Sequence, residues 1–255
     1  MRGTPSGHGS TVATNLGRHR DQARADLDRE GVARLPGVVP ADWLASARAD
    51  VAAFLAHHGP GEHSLIDAQV WMCPAIAALA TDDGVEEFLD SMAFPGGAAP
   101  DHGGYRQQVL RILDGSGVDS PPFDWHYDAN ALTLVVPIVI PDDGSGHLAL
   151  MPNHRGHRRL ASVSAAERLL VHNDIYGRRL RRRYDRDPAA YTVHLKPGDT
   201  YLFRGYRTLH ATLPWPAGTL RVTLVLQYGH PYGSEGPVLR AVRTRRTLTR
   251  SRRRS

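Results

Sequence analysis

Residues 198–229 read GDTYLFRGYRTLHATLPWPAGTLRVTLVLQYG. A Gly198-Asp199 turn feeds an apolar strand, and His210 follows near its far end. After Pro214, Pro216 and Gly218 comes the longest strand candidate in the chain, TLRVTLVLQYG. Alternate side chains of a strand share a face. Leu220, Val222, Leu224 and Leu226 therefore lie on one side, and Arg221, Thr223, Val225 and Gln227 on the other. If Arg221 points into a barrel it needs a partner, because a buried, unpaired guanidinium is costly. A dicarboxylate ligand supplies one through paired, charge-assisted hydrogen bonds. If the strand is an edge, Arg221 faces solvent instead.

Working outward, the strand texture extends back to about Tyr105. QQVLRIL ends at Asp114-Gly115. LTLVVPIVI precedes a turn at Pro141 to Gly144, GHLALMPN is a further strand, and TVHL leads to the turn at Lys196 to Asp199. The section before it is helical. One helix in residues 21–35 runs into a short strand that turns at Pro36-Gly37, and another starts after Pro40. There Trp43, Leu44, Ala47, Val51, Phe54 and Leu55 recur at helical spacing, and His57, His58 and Gly59 close the helix. Asp83 to Met92 reads as one more short helix. Short strands after a helical section predict a mainly β fold with flanking helices, a jelly-roll or cupin-like double-stranded β-helix.

Composition bounds the rest. At 255 residues the chain suits a single domain with decorated ends. The expected organisation is a disordered, polar N-terminus over 1–20, a domain over 21–235 with a helical insert at about 154–190, and a basic, disordered tail over 236–255. The net charge of +5 belongs to that tail: the last sixteen residues carry eight Arg and no acid, and without them the charge is −3. A second run, Arg178 to Arg186, holds six Arg and reads first as a solvated helix face. Cys73 is the only cysteine, which excludes an internal disulfide and a multi-cysteine zinc site. No apolar run spans a bilayer, and the N-terminus lacks the apolar core of a signal peptide, so the expectation is a soluble, cytoplasmic protein without a membrane partner.

In PPFDWHYDANALTL, His126 and Asp128 are two apart, so on a strand both side chains reach one point. Two His and one carboxylate with open positions is the ligand set of non-haem iron(II) sites. Taken alone the pair is unspecific in a chain with fourteen His, and a structural pair reads as well. His147, His157, His172 and His194 are other possible ligands, but none has a carboxylate at strand spacing.

The ordered set is more specific than any of its parts. EGVARLPGVVPADWLASARADV, WHYD, GHLALMPNHRGHR, KPGDTYLFRGYRTLHAT and TLRVTLVLQY follow one another as they do in the phytanoyl-CoA dioxygenase family of iron(II)/2-oxoglutarate oxygenases, which the chain resembles over roughly residues 28–232. The resemblance implies a double-stranded β-helix with iron(II) on His126, Asp128 and His210, and with 2-oxoglutarate and O2 as co-substrates. It pairs Arg221 with the far carboxylate of 2-oxoglutarate, and offers Thr212 and Gln107 as further contacts to that co-substrate. It implies oxidation of an unactivated C–H bond of a small molecule in specialised (natural-product) metabolism. Hydroxylation is the default, and desaturation or ring closure are open. A carboxylate at Asp128 argues against halogenation, because halogenating relatives carry a small residue there. Two features depart from the family pattern: Asn153-His154 stands where Gly-Ser-His is usual, making His154 a turn residue, and the Arg-rich insert has no counterpart. Arg111 and Arg106 are candidates to meet an anionic or amino-acid-like substrate. The competing readings are a cupin-like metal enzyme that does not use 2-oxoglutarate, and a nucleic-acid-binding protein acting through its Arg-rich segments, which lacks aromatic interleaving or a recognition motif.

Overall fold

The computed structural model describes residues 7–93, 106–114, 124–154 and 180–229, with only the backbone of 7–10. Helices α1 (Gly7–Arg18) and α2 (Arg20–Arg29) lead into strand β1 (Val32–Leu35), then α3 (Ala41–His58) and β2 (His63–Ile66). A 3-10 helix (Asp67–Met72), α4 (Pro74–Ala80) and α5 (Asp83–Ala93) follow. The remaining strands are β3 (Arg106–Leu113), β4 (Leu132–Val139), β5 (Leu148–Met151), β6 (Tyr191–Val193), β7 (Thr200–Phe203), β8 (Leu209–Thr212) and β9 (Arg221–Tyr228).

The strands make two antiparallel sheets, one ordered β1-β7-β4-β9-β3-β2 and one ordered β6-β5-β8. This is the jelly-roll core with flanking helices that the strand texture predicts. β9 is an interior strand of the larger sheet, paired along β3 on one side and β4 on the other. That placement excludes the edge-strand reading of Arg221.

The alternation in β9 does what its sequence says. Val222, Leu224 and Leu226 pack outward with Leu110, Ile112 and Leu134 into the core beneath the helices. Each such fully buried aliphatic side chain contributes about 1.5–3 kcal/mol. The helices are pinned there by polar contacts as well. Nε1 of Trp43 donates to the Ala75 carbonyl at 3.1 Å, and Nε of Arg48 donates to the Ile138 carbonyl at 3.1 Å. Between the sheets, Val32, Val135, Leu148, Leu150, Tyr201 and Phe203 form a second cluster. On the far face of the smaller sheet, Trp125, Met151 and Leu209 are covered by Leu180, which begins a helical segment at 180–184.

Two expectations change. Residues 7–18 are helical: Val12 and Leu16, four apart, are buried in the core, and Nδ2 of Asn15 donates to the Val38 carbonyl at 3.0 Å. Two apolar residues on one face dock a helix whose sequence is otherwise polar. The segment from Thr200 to Thr212 is two strands, because the turn at 204–208 carries the chain from β7 in the larger sheet to β8 in the smaller one. Cys73 is buried, and burial pushes its thiol up to about 11, so it is a core side chain and not a nucleophile. The tail over 236–255 and most of the insert (155–179) lie outside the described residues. Within 180–186, Arg181, Arg182, Arg183 and Arg186 are exposed, while Leu180 and Tyr184 pack inward. No helix among the described residues is long and apolar enough to cross a membrane.

Candidate metal centre

His126 and Asp128 do not lie on a regular strand. A one-residue antiparallel bridge to His210 holds the first: the His126 N–H donates to the His210 carbonyl at 2.9 Å and the His210 N–H donates back at 3.0 Å. The Asp128 N–H donates to the Gly205 carbonyl at 3.1 Å. The backbone thus brings the three side chains together across the gap between the sheets. Their ligand atoms all lie within 4.8 Å of one another, and this is the metal-capable cluster among the described residues.

Both imidazoles are oriented by main-chain carbonyls. Nδ1 of His126 is 2.8 Å from the Asp124 carbonyl, and Nδ1 of His210 is 3.1 Å from the Thr208 carbonyl. A carbonyl only accepts, so each Nδ1 carries a proton and each Nε2 is the ring nitrogen turned toward the cluster. Nε2 of His210 faces Oδ2 of Asp128 at 3.6 Å. Burial, reinforced by the nearby His126, holds His210 well below the usual imidazole range despite Asp128, so it is a neutral donor at physiological pH. The ring of Phe203 packs edge-on 4.9 Å from that of His210 and makes an apolar wall.

Asp128 is buried, and both of its oxygens are held. Nε2 of Gln227 donates to Oδ1 at 2.6 Å, and the Thr133 hydroxyl donates to Oδ2. Two imidazole nitrogens and one carboxylate oxygen gathered at one point suit a divalent metal of intermediate softness.

Arg221 is 3% exposed and faces the inter-sheet space. Its Nε donates to the Gly146 carbonyl at 2.6 Å, its Nη1 reaches the Thr223 hydroxyl at 3.4 Å, and its guanidinium lies 5.8 Å from the Trp215 ring centroid. Burial, helped by Arg111, pushes it down to about 9, and no acid among the described residues offsets the shift. Close packing enforces the geometry: at Gly146 (φ +67) a Cβ would sit 3.1 Å from Cδ of Arg221.

The other candidates separate by register. Thr212 shares the inward face of β8 with His210 and lies opposite Leu148, close to the Gly146 turn that holds Arg221. Gln107 is inward on β3, opposite Gln227 and six strand positions from the level of Arg221. It therefore lies at the metal end of the cavity, away from the arginine. Arg111 is inward, opposite Thr223, where burial lowers its pKa while Glu62, Asp124 and Asp128 act against the shift. Arg106 is a correction: it occupies the opposite face of β3, with Nη1 3.1 Å from Oε2 of Glu86 on α5, and cannot face the cluster.

His154 bonds the Tyr127 hydroxyl through Nδ1 at 2.5 Å, next to Asn153 in a left-handed turn (φ 50). His147 and His194 pack on each other with centroids 4.6 Å apart, and Nδ1 of His147 accepts from the Leu195 N–H at 3.2 Å, so neither joins the cluster. His157 and His172 lie outside the described residues. The sequence reading missed Thr133, Gln227, Gly205, Gly146 and Trp215. Of these only Gln227 had a signal, as a polar residue on the inward face of β9.

No protein-family model matches the chain, and none of the curated proteins matches it. Solved structures do. The non-haem alpha-ketoglutarate-dependent carbocyclase SnoK from nogalamycin biosynthesis superposes with a TM-score of 0.59 at 16% identity, over 89% of this chain and 87% of that one. The alpha-ketoglutarate-dependent epimerase SnoN from the same biosynthesis gives 0.56 at 20% identity, over 84% and 82%. A prolyl 4-hydroxylase structure from Phytophthora capsici gives 0.58 at 15% identity, over 90% and 67%. SnoN has also been solved in complex with Fe3+, alpha-ketoglutarate and nogalamycin RO. The chain has the fold of these proteins: two antiparallel sheets face each other, with helices packed on the larger one.

Proposed function

We propose that this protein is an iron(II)- and 2-oxoglutarate-dependent oxygenase that oxidises a C–H bond of a small molecule. His126, Asp128 and His210 would hold the metal, and Arg221 would bind the far carboxylate of the keto acid. The observation that carries the reading is Arg221 itself, a buried guanidinium with no acid among the described residues to offset its desolvation, in the same interior as two histidines and an aspartate. A buried cation of this kind is costly unless a ligand completes it. The anion must also span the space between Arg221 and the metal cluster. Thr212 lies two strand residues beyond His210, roughly 7 Å, which suits a short dicarboxylate chelated at one end.

Bound iron(II) supplies O2 activation coupled to decarboxylation of the keto acid. The chain's own part is to orient two imidazoles through Asp124 and Thr208, to present Asp128, and to pair the remote carboxylate with Arg221 and Thr212. Phe203 keeps an apolar surface against His210. Hydroxylation is the reading for the reaction. SnoK and SnoN, a carbocyclase and an epimerase, support keeping ring closure and other radical outcomes as its alternatives, and their origin supports a place in specialised metabolism. Inward-facing Arg111 supports a substrate with an anionic or amino-acid-like group.

The test is anaerobic addition of iron(II) and 2-oxoglutarate. A weak visible charge-transfer band is expected, lost in Asp128→Ala and weakened in Arg221→Ala. Absence of the band from the wild-type protein, with no succinate formed, would overturn the co-substrate assignment. The cupin-like reading without 2-oxoglutarate leaves Arg221 without a role.

A further inference from the structure

Thr133 and Gln227 are directly opposite each other on β4 and β9, both on the inward face. They grip the same carboxylate from its two ends: the Gln227 amide donates to Oδ1 of Asp128 and the Thr133 hydroxyl to Oδ2. A carboxylate only accepts, so the Gln227 amide group is oriented with its nitrogen toward Asp128. The third side is closed by backbone. A Cβ on Gly205 would lie 2.8 Å from both Cβ and Oδ2 of Asp128, and the Gly205 carbonyl accepts the Asp128 N–H. The side chain can neither rotate nor withdraw.

The two oxygens are not equivalent. Each accepts one hydrogen bond, but only Oδ2, held by Thr133, faces Nε2 of His210, at 3.6 Å, while Oδ1 is held by Gln227 at 2.6 Å. We infer that Gln227 and Thr133 are positioning residues, Gln227 by holding Oδ1 away and Thr133 by aiming Oδ2, so that Asp128 offers a metal one oxygen and does not occupy a second place that a chelating co-substrate needs. The inference rests on the metal reading proposed above. Partners of this kind, bonded to a ligand and not to the metal, typically alter affinity by 10–100-fold. Neither residue contacts the metal-facing nitrogens, so their effect runs through the carboxylate alone.

Cobalt(II) replaces iron as a spectroscopic probe insensitive to air. Gln227→Met keeps length and removes the donor; Thr133→Val keeps shape and removes the hydroxyl; Thr133→Ser keeps the hydroxyl. In the full chain, cobalt(II) affinity is expected to fall about tenfold or more in Gln227→Met and Thr133→Val, with an altered cobalt d–d spectrum and weaker 2-oxoglutarate binding to the cobalt-loaded protein. Thr133→Ser should restore the wild-type spectrum, a rescue that a packing role would not require. If the wild type binds cobalt(II) and both disrupting variants match it within twofold with the same spectrum, the positioning role is wrong and the metal site stands. If the wild type binds no cobalt(II), the metal reading and this inference fall together. Should Gln227→Met not fold, the Thr133→Val and Thr133→Ser pair decides alone.

Discussion

Nε of Arg221 donates to the Gly146 carbonyl across 2.6 Å, and that bond fixes a guanidinium whose desolvation no acid among the described residues offsets. The arginine therefore works against the stability of the ligand-free protein. Its pKa is lowered on folding, so the unfolded chain holds the proton more tightly. The penalty is complete below about 9 and declines as pH rises from there toward the ordinary guanidinium value. Arg221→Met removes the charge at similar volume. Replacing buried charges by packed apolar groups is often neutral or stabilising by about 1–4 kcal/mol, here offset in part by the orphaned Gly146 carbonyl. The melting temperature of the ligand-free variant should match or exceed the wild type by a few degrees, while 2-oxoglutarate affinity falls at least about a hundredfold, on the order of 3 kcal/mol. A variant several degrees less stable than wild type would mean that the guanidinium is already paired.

A divalent metal should stabilise the fold through the histidine–aspartate cluster. Ligand at a hundred times its dissociation constant adds about 2.7 kcal/mol. For a chain of this size that is about 5–10 °C in melting temperature. Thermal denaturation with excess manganese(II) or cobalt(II) should show such a shift in the wild type and none in Asp128→Ala or His210→Ala. A shift of equal size in all three proteins would place metal binding elsewhere.

The strand alternation in β9 and the His210-to-Arg221 spacing were legible because each depends on nearest neighbours along one segment. The HxD geometry was legible for the wrong local reason. Same-side projection comes from the bridge between His126 and His210, a pairing 84 positions apart in the chain, and not from a strand. Gly205 and Gly146 were not legible at all. Their requirement is the absence of a Cβ against Asp128 and Arg221, which only the folded crossing of the sheets creates. Arg106 and Arg111 looked alike in sequence, yet an odd separation of five on β3 sends one to Glu86 and the other to the interior. The same limit hid α1, because composition weighs a segment's polarity and cannot see two apolar residues on one face.

That helix gives a paired stability prediction. Leu16 is fully buried, and a Cβ on Gly17 would meet nothing within 4 Å among the described residues. Leu16→Ala should cost about 2–5 kcal/mol and lower the melting temperature by on the order of 10 °C. Gly17→Ala, in the same helix and free of clashes, should be neutral or stabilising by up to about 1 kcal/mol. Both are read by thermal or urea denaturation. If neither variant moves the transition, α1 does not dock in solution.

Gly146→Ala should separate co-substrate binding from metal binding. The residue has φ +67, where a Cβ costs roughly 1–2 kcal/mol in backbone strain. The new methyl would stand 3.1 Å from Cδ of Arg221 and 3.4 Å from Cβ of Trp215, so the arginine stem has to shift. A shifted stem lengthens the 2.6 Å bond from Nε to the Gly146 carbonyl and turns the guanidinium away from the direction in which Thr212 and the cluster lie. None of His126, Asp128 or His210 bonds to this turn, so metal affinity should stay within about twofold of wild type, while 2-oxoglutarate binding weakens about tenfold, a loss of roughly 1.4 kcal/mol. Titrating cobalt(II) and then 2-oxoglutarate measures both in one sample. Equal weakening of the two would show that the turn supports the metal ligands as well, and no change in either would show that Arg221 does not bind the far carboxylate from the position it holds here.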